Sequence, residues 1–338
     1  MVATIKVRNF FAVKDVLEFF GVEPAAALKN VGLDPNLFAN RETVVLYSDA
    51  GRLLAECARL TDRDDFGFRA GQREDATAMG LTGLLSLHAM KVGEALGYIA
   101  VGLRASDTGG VFSFEARGGV ASLSYAVIET GVERPEQIVD AAMAIACNTL
   151  RQFCGPGWSP ERVFLPRGTP RDFRCYRQFF GAPVEFEAPA ARMVCDASVL
   201  DRQIVTHNPH YIDILTPLFD AALAGARGDL ILTVKAVLKA QVGGGRLTRA
   251  RVAQAMGMSE HVLVARLAEA DATFSDLAEE VKFELARQML ASGREQRAIA
   301  GELGFADASA FNRAFVKWSG QTPGRWRAGR MRSEETQG

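Results

Sequence analysis

One segment of this chain occurs twice. RVAQAMGMSEHVLVARL begins at Arg251 and AIAGELGFADASAFNRAF begins at Ala298. Ala253, Gly257 and Met258 of the first correspond to Ala300, Gly304 and Phe305 of the second, 47 residues apart. Leu263 and Leu267 correspond to Phe311 and Phe315, 48 apart, so the second turn is one residue longer. These are the residue types that a helix-turn-helix needs. Two helices crossing at about 90–120° through a short turn require a small residue at their contact, here Ala253 or Ala300. The turn requires a residue that tolerates positive φ, here Gly257 or Gly304. Ser259 and Asp307 can cap the helix that follows. That helix buries apolar anchors at i and i+4 and leaves its other face for a groove. Two such units in register constrain the last third of the chain more than its composition does.

The stretch between them is helical too. Phe274, Leu277, Val281, Leu285 and Met289 recur at spacings of three and four, which predicts a linker helix over about Phe274–Ser292. Its length, on the order of 28 Å, is near the ~34 Å between successive major grooves on one face of DNA. Leu230, Val234, Val237 and Leu238 form an earlier stripe, which Gly243-Gly244-Gly245 ends. Phe274, Phe305, Phe311, Phe315 and Trp318 follow helical periodicity and read as core, not as a base-stacking platform. The region is all-α.

The preceding part mixes periodicities. Ser48–Leu60 reads as a helix capped by Ser48, with Leu53, Leu54 and Cys57 on one face. Val111–Arg117 and Val120–Ile128 are strand-like runs around Gly118-Gly119, a hairpin whose turn needs positive φ. Glu136–Phe153 is helical with Ile138, Ala142 and Ile145 inward, and a helix across Pro170–Phe180 closes at Gly181. Short strands fit Val163–Leu165 and Met193–Cys195. This uneven order predicts an α+β domain. At AALAGARGD (Ala221–Asp229) small residues replace the periodicity, which places a boundary near Gly225. The expected organisation is therefore 1–225 as an α+β domain and 226–338 as a helical domain, with helix-turn-helix units at about 248–268 and 296–318.

Charge and chemistry narrow the function. The 338 residues carry a net charge of −1. From Asp229 onward there are 16 Lys+Arg against 13 Asp+Glu, and within Arg294–Arg332 there are 8 against 3. A mildly acidic body with a basic end fits a sensor joined to a nucleic-acid-binding domain. The five cysteines (Cys57, Cys147, Cys154, Cys175, Cys195) lack CxxC spacing, which argues against a disulfide framework and structural zinc. His207-Asn-Pro-His210 lacks a third ligand, so no metal is expected. No GxSxG, GxxxxGK[ST], HExxH or Rossmann fingerprint is present, and no enzyme or cofactor is expected. Without a secretory h-region or a long apolar run, the chain is expected in the cytosol, away from membranes.

The stretch IAGELGFADASAFNRAFVKWSGQTPGRWR, Ile299–Arg327, resembles the AraC/XylS family of transcription regulators at Gly304-Phe305, Ser309, Phe311, Arg313-Ala314-Phe315, Lys317-Trp318, Gly320 and Thr322-Pro323. DDFGFRAG, VGEALGYI and RQFFGAPVEFEAPAARMVCDASVLDRQI resemble the ligand-sensing domain of ornithine-utilization and virulence-type members. The resemblance implies a DNA-binding regulator, more often an activator, with a small-molecule effector on the N-terminal domain, contact with RNA polymerase and possible homodimers. It places Ala308, Ser309, Asn312 and Arg313 on the groove face of the second recognition helix, with Arg313 suited to guanine O6/N7. Arg249, Lys317, Arg325 and Arg327 would touch phosphate. On the first recognition helix the groove face is His261, Val262, Val264, Ala265 and Arg266. Family members often carry Arg and Gln at the positions of His261, Val264 and Ala265; here two are aliphatic, suited to thymine methyls but not to bidentate bonds. No effector residue can be assigned: Arg69, Arg104, Tyr125, His88 and Trp158 could line a polar cavity or be structural. A regulator governed by a protein partner or by cysteine oxidation is the alternative.

Overall fold

The structure, a computed structural model, describes residues 2–225, 230–240, 248–255, 260–292 and 294–327. The chain folds as two compact units, the first Met1–Asp229 and the second beginning at Leu230. Gly243–Gly245, the first turn at Gly257–Ser259 and the end of the Ala221–Asp229 break lie outside the described residues.

The first unit is α+β, as expected. Strand β1 (Thr4–Lys6) pairs antiparallel with β2 (Val44–Leu46), and α1 (Val13–Phe19) and α2 (Pro24–Asn30) lie between them in sequence. Helices α3 (Tyr47–Leu60), α4 (Phe66–Gly71), α5 (Leu81–His88) and α6 (Val92–Gly102) follow. Then come the hairpin β3 (Gly110–Arg117) and β4 (Val120–Val127), and helix α7 (Pro135–Cys154). The unit continues through β5 (Arg162–Phe164), α8 (Phe173–Phe180), β6 (Val184–Glu185) and β7 (Ala191–Asp196) to α9 (Pro209–Gly225). The larger sheet runs β3-β4-β7-β5-β6, antiparallel except for β5–β6.

The hairpin turns where the glycines demand it. Gly118 (φ 58°) and Gly119 (φ 83°) both sit at positive φ, the two-residue turn whose twist matches the strands. Ser48 is not a cap: α3 begins at Tyr47 behind Leu46, with no side-chain cap. The reason is tertiary, since Tyr47 is fully buried and its hydroxyl meets that of Tyr125 at 2.9 Å. Helix α8 also starts later than expected, at Phe173, and closes on Gly181 at φ 66°.

The centre of this unit is the contact of α4 with α7. A Cβ on Gly67 would stand 2.0 Å from the Gln137 carbonyl oxygen, and one on Gly71 would stand 2.3 Å from that of Ala141. The two glycines, four residues apart, form one bare stripe along which the backbones touch. Gln137 locks the register, accepting from the Gly67 amide and donating to the Asp64 carbonyl, both at 2.7 Å. On the same side of α7, buried Asp140 pairs with Arg167 and accepts from the Tyr176 hydroxyl at 2.6 Å, while Phe68 stacks on Tyr176 at 3.8 Å.

The second unit is helical throughout its described residues: α10 (Leu230–Ala240), α11 (Arg249–Ala255), α12 (Glu260–Glu269), α13 (Phe274–Ala291), α14 (Gln296–Glu302) and α15 (Ala308–Ser319). Val234, Val237 and Leu238 are buried on α10, as their spacing predicts.

The α4–α7 contact is testable by chemical denaturation. Gly67→Ala should destabilise by about 3 kcal/mol, because backbone cannot give way as a side-chain tip can. Gly97→Ala on α6, where a new methyl meets nothing within 4 Å, should be neutral or stabilise by up to about 1 kcal/mol. Equal effects at the two positions would contradict the close approach.

Candidate nucleic-acid interface and internal cavity

The second helix-turn-helix is held by few contacts, each anticipated by a residue type. After α14, Gly304 takes φ 73°, and the Phe305 amide bonds back to the Ala300 carbonyl at 2.9 Å. Ala300, at the helix crossing, is 1% exposed. Asp307 caps α15, its Oδ1 accepting from the Ala310 amide at 2.7 Å. Phe311 and Phe315 are wholly buried against Ala286, Leu290, Ile299 and Leu303. Phe283 and Trp326 meet Phe315 at ring distances of 5.6 and 6.1 Å. Phe305, Phe311, Phe315 and Trp318 are therefore core, while Phe274 is half-buried at the start of α13.

With those anchors inward, the opposite face of α15 is fixed. Ser309, Arg313, Val316 and Lys317 are exposed along it, with Ala308 and Asn312 partly so. Among the described residues Arg313 has no ion-pair partner, whereas Lys317 binds both oxygens of Glu279 on α13, at 2.9 and 2.8 Å. Trp318 Nε1 donates to the same carboxylate at 3.1 Å, and the two donors hold the Glu279 carboxyl below its usual range. Arg325 is exposed; Arg327 is half-buried and donates to the Arg294 carbonyl, so it serves as a strut in the free protein.

The first helix-turn-helix repeats the plan where it is described. Val252 and Ala253 on α11 and Leu263 and Leu267 on α12 are at most 1% exposed. These positions match the buried Ala300, Phe311 and Phe315 of the second unit. His261, Val264 and Ala265 are exposed on α12, and Arg249 is exposed at the start of α11. The side chains of Val262 and Arg266 lie outside the described residues. Helix α13, 18 residues long, joins the two helix-turn-helix motifs and spans about 27 Å. Its Thr273 cap accepts from the Asp276 amide at 3.2 Å.

The first domain holds a partly enclosed cavity with room for about 90 Å³. Of its twenty lining residues only Asn9, Asp107, Tyr125 and Thr149 are polar. Helix α7 supplies one wall, with Ile138, Ala141, Ala142, Ile145 and Ala146. Of the residues that sequence reasoning offered for a cavity, Tyr125 alone lines it. Arg69 pairs with Asp65 at 2.8 Å, and His88 bonds the Thr206 carbonyl at 2.8 Å. Trp158 packs on the core, and Arg104 is not among the lining residues. Asp65, Asp172 and Cys175 cluster within 4.8 Å, but the Arg69 guanidinium already sits on both carboxylates and supplies the positive charge.

A duplicated helix-turn-helix with a bare, partly basic helix face, joined to an α+β domain with an apolar cavity, is the plan of a DNA-binding transcription regulator. Residues 21–204 match the family described as the arabinose-binding domain of AraC transcription regulators, and residues 252–329 match a helix-turn-helix domain. The chain belongs to the AraC family of transcription regulators. It is similar to the HTH-type transcriptional regulator VirS of Mycobacterium tuberculosis (strain ATCC 25618 / H37Rv), at 26% identity over 332 residues covering 96% of each chain. It is also similar to the ornithine utilization regulator of Pseudomonas aeruginosa, at 24% identity over 323 residues covering 94% of each. Among solved structures it is similar to the transcriptional regulator CdpR from Pseudomonas aeruginosa, at 19% identity and a TM-score of 0.48, covering 94% of this chain and 96% of that one.

The Glu279–Lys317 tie sets an acid dependence. A carboxylate whose folded pKa is depressed stabilises the fold above the unfolded Glu value of about 4 and loses that contribution as pH falls through the lower folded value. Between pH 6 and 3 the melting temperature of the second unit should therefore fall further in the wild type than in Lys317→Met. Parallel curves would show that the ion pair is not formed in solution.

Proposed function

We propose that the chain is a sequence-specific regulator, more often activating than repressing, whose DNA binding is set by a small molecule held in the first domain. The observation that carries the effector reading is the cavity. Its lining is almost wholly apolar with a few polar groups among it, the make-up of a small-molecule site. Differential binding of that occupant to two states of the protein would shift the population able to engage DNA.

On the DNA side, Arg313 and Ser309 are proposed as base readers, with Ala308 and Asn312 flanking them. Arg249 and Arg325 are proposed as phosphate contacts. Lys317 joins them only by leaving Glu279. The first unit, with Val264 and Ala265 exposed beside His261, is proposed to contribute apolar contact to thymine methyls. Val262 and Arg266 belong to the same proposed face. Dimerisation through the first domain is supported by exposed Tyr211, Ile214 and Leu218, which share one stripe of α9. A division of labour at about residue 225, residence in the cytosol and contact with RNA polymerase complete this reading. No helix among the described residues is long and apolar enough to cross a membrane.

Control by cysteine oxidation is poorly supported. Burial raises every thiol: Cys147 and Cys195 to about 11, and Cys175 to about 12. The thiolate needed for rapid oxidation is correspondingly scarce at neutral pH.

The test selects duplexes from a random pool with the full chain and repeats the selection with Arg313→Ala and Arg325→Ala. Arg313→Ala should lose about 1–3 kcal/mol on the selected site and relax one position. Arg325→Ala should keep the consensus and lower the salt slope by about 1. An unchanged consensus and affinity for Arg313→Ala would remove it as a reader.

A further inference from the structure

The polar atoms of the cavity have a definite chemistry. Asp107 is 3% exposed and accepts from the Gly109 and Gly110 amides at 2.9 and 2.8 Å and from the Tyr125 hydroxyl at 2.8 Å. Tyr125 in turn shares a hydrogen bond with Tyr47 at 2.9 Å. All these partners are neutral, and no Lys, Arg or His lines the cavity. The carboxylate is thus buried in apolar surroundings without a counter-cation, and burial pushes it up to about 6. Asn9 spends its amide nitrogen on Ser106, bonding both the carbonyl and the hydroxyl at 3.2 Å, which leaves its buried Oδ1 without a partner. Thr149, 2% exposed, also keeps a buried Oγ1 without a partner. Buried polar atoms left in this way cost stability unless something satisfies them.

The apolar wall is also cut for an occupant. Ala141, Ala142, Ile145 and Ala146 on α7 are partly accessible, and all of them line the cavity. The three alanines there keep open a volume that larger residues would fill.

We infer that this cavity binds a mostly apolar small molecule whose head group donates hydrogen bonds, an alcohol or an amine, to Asp107 and Asn9, with Thr149 completing the contact. A free carboxylate is excluded from it. Carboxylate ligands would meet Asp107 at close quarters with no cation to neutralise either charge, and such pairs are strongly unfavourable in a low-dielectric site. An amine would supply the missing counter-charge, whereas an alcohol would satisfy Asn9 Oδ1 and one carboxylate lone pair. The inference deepens the effector reading above and rests on it for its regulatory meaning, but not for binding.

The probes are n-heptanol, n-heptylamine and heptanoate, three head groups on one chain, tested on the full-length protein by thermal shift and by affinity for its selected duplex. Heptanol or heptylamine should raise the melting temperature in a saturable manner, and heptanoate should not. Stabilisation by heptylamine well beyond heptanol would identify Asp107 as a counter-ion; equal stabilisation would identify hydrogen bonding alone. Asp107→Asn should weaken heptylamine at least tenfold. Because that residue also orders Gly109 and Gly110, Thr149→Val serves as a milder variant and should weaken the bound probe about fivefold. Ala146→Phe, which fills the space, should abolish the shift. Stabilisation by heptanoate equal to that by heptanol, no shift with any probe, or a shift that survives Ala146→Phe would each overturn the inference. Binding that leaves the duplex affinity unchanged would sink the effector reading while this site stood.

Discussion

Helix α7 organises the first domain because its two sides obey opposite rules. Toward α4 it is approached as closely as backbone allows, since Gly67 and Gly71 present no side chain to Gln137 and Ala141. On its other side, alanines where bulkier residues would close the gap leave a hollow beside Leu96, Ile99, Phe112 and Tyr125. The close side supplies rigidity, reinforced by the buried Asp140–Arg167 pair and the Phe68–Tyr176 stack. A buried ion pair is weak evidence for stability in itself. Its effect here is to tie α7 to the loop before α8, so that the wall of the cavity has a fixed backing.

In the second domain the governing constraint is the aromatic cluster beneath α15. Phe311 and Phe315 determine which face of the helix is inward, and the Asp307 cap with Gly304 determines where the helix begins. The exposed row at Ser309, Arg313 and Val316 is a consequence of these anchors. Glu279 adds an electrostatic tie: by holding Lys317 and Trp318 it couples the linker helix to the recognition helix. Exposed pairs of this kind are worth little in stability, so a phosphate can compete for Lys317 at small cost.

The helix-turn-helix was legible because every requirement is local: a small residue at a crossing, a glycine at positive φ, a cap and anchors at i and i+4. The Gly118-Gly119 hairpin was legible for the same reason. The cavity was not. Its polar residues, Asn9, Asp107, Tyr125 and Thr149, are spread over 140 residues of sequence, and only the fold brings them together. Charged residues offered in advance as lining, such as Arg69, are instead satisfied by near neighbours such as Asp65. Helix α3 starts at Tyr47 because the contact with Tyr125 outweighs the capping preference of Ser48, and that contact is not local in sequence. The Glu279–Lys317 tie, 38 residues apart, left no periodic signal either.

The central claim is that both helix-turn-helix units engage DNA from one molecule, separated by a linker helix of about 27 Å. Hydroxyl-radical footprinting of the full-length protein on its selected duplex tests it most directly. The account predicts two protected segments on one face of the duplex, about one helical turn apart and centred on adjacent major grooves. A single protected segment, with no sequence preference one turn away, would contradict it and leave the first unit without a part in recognition.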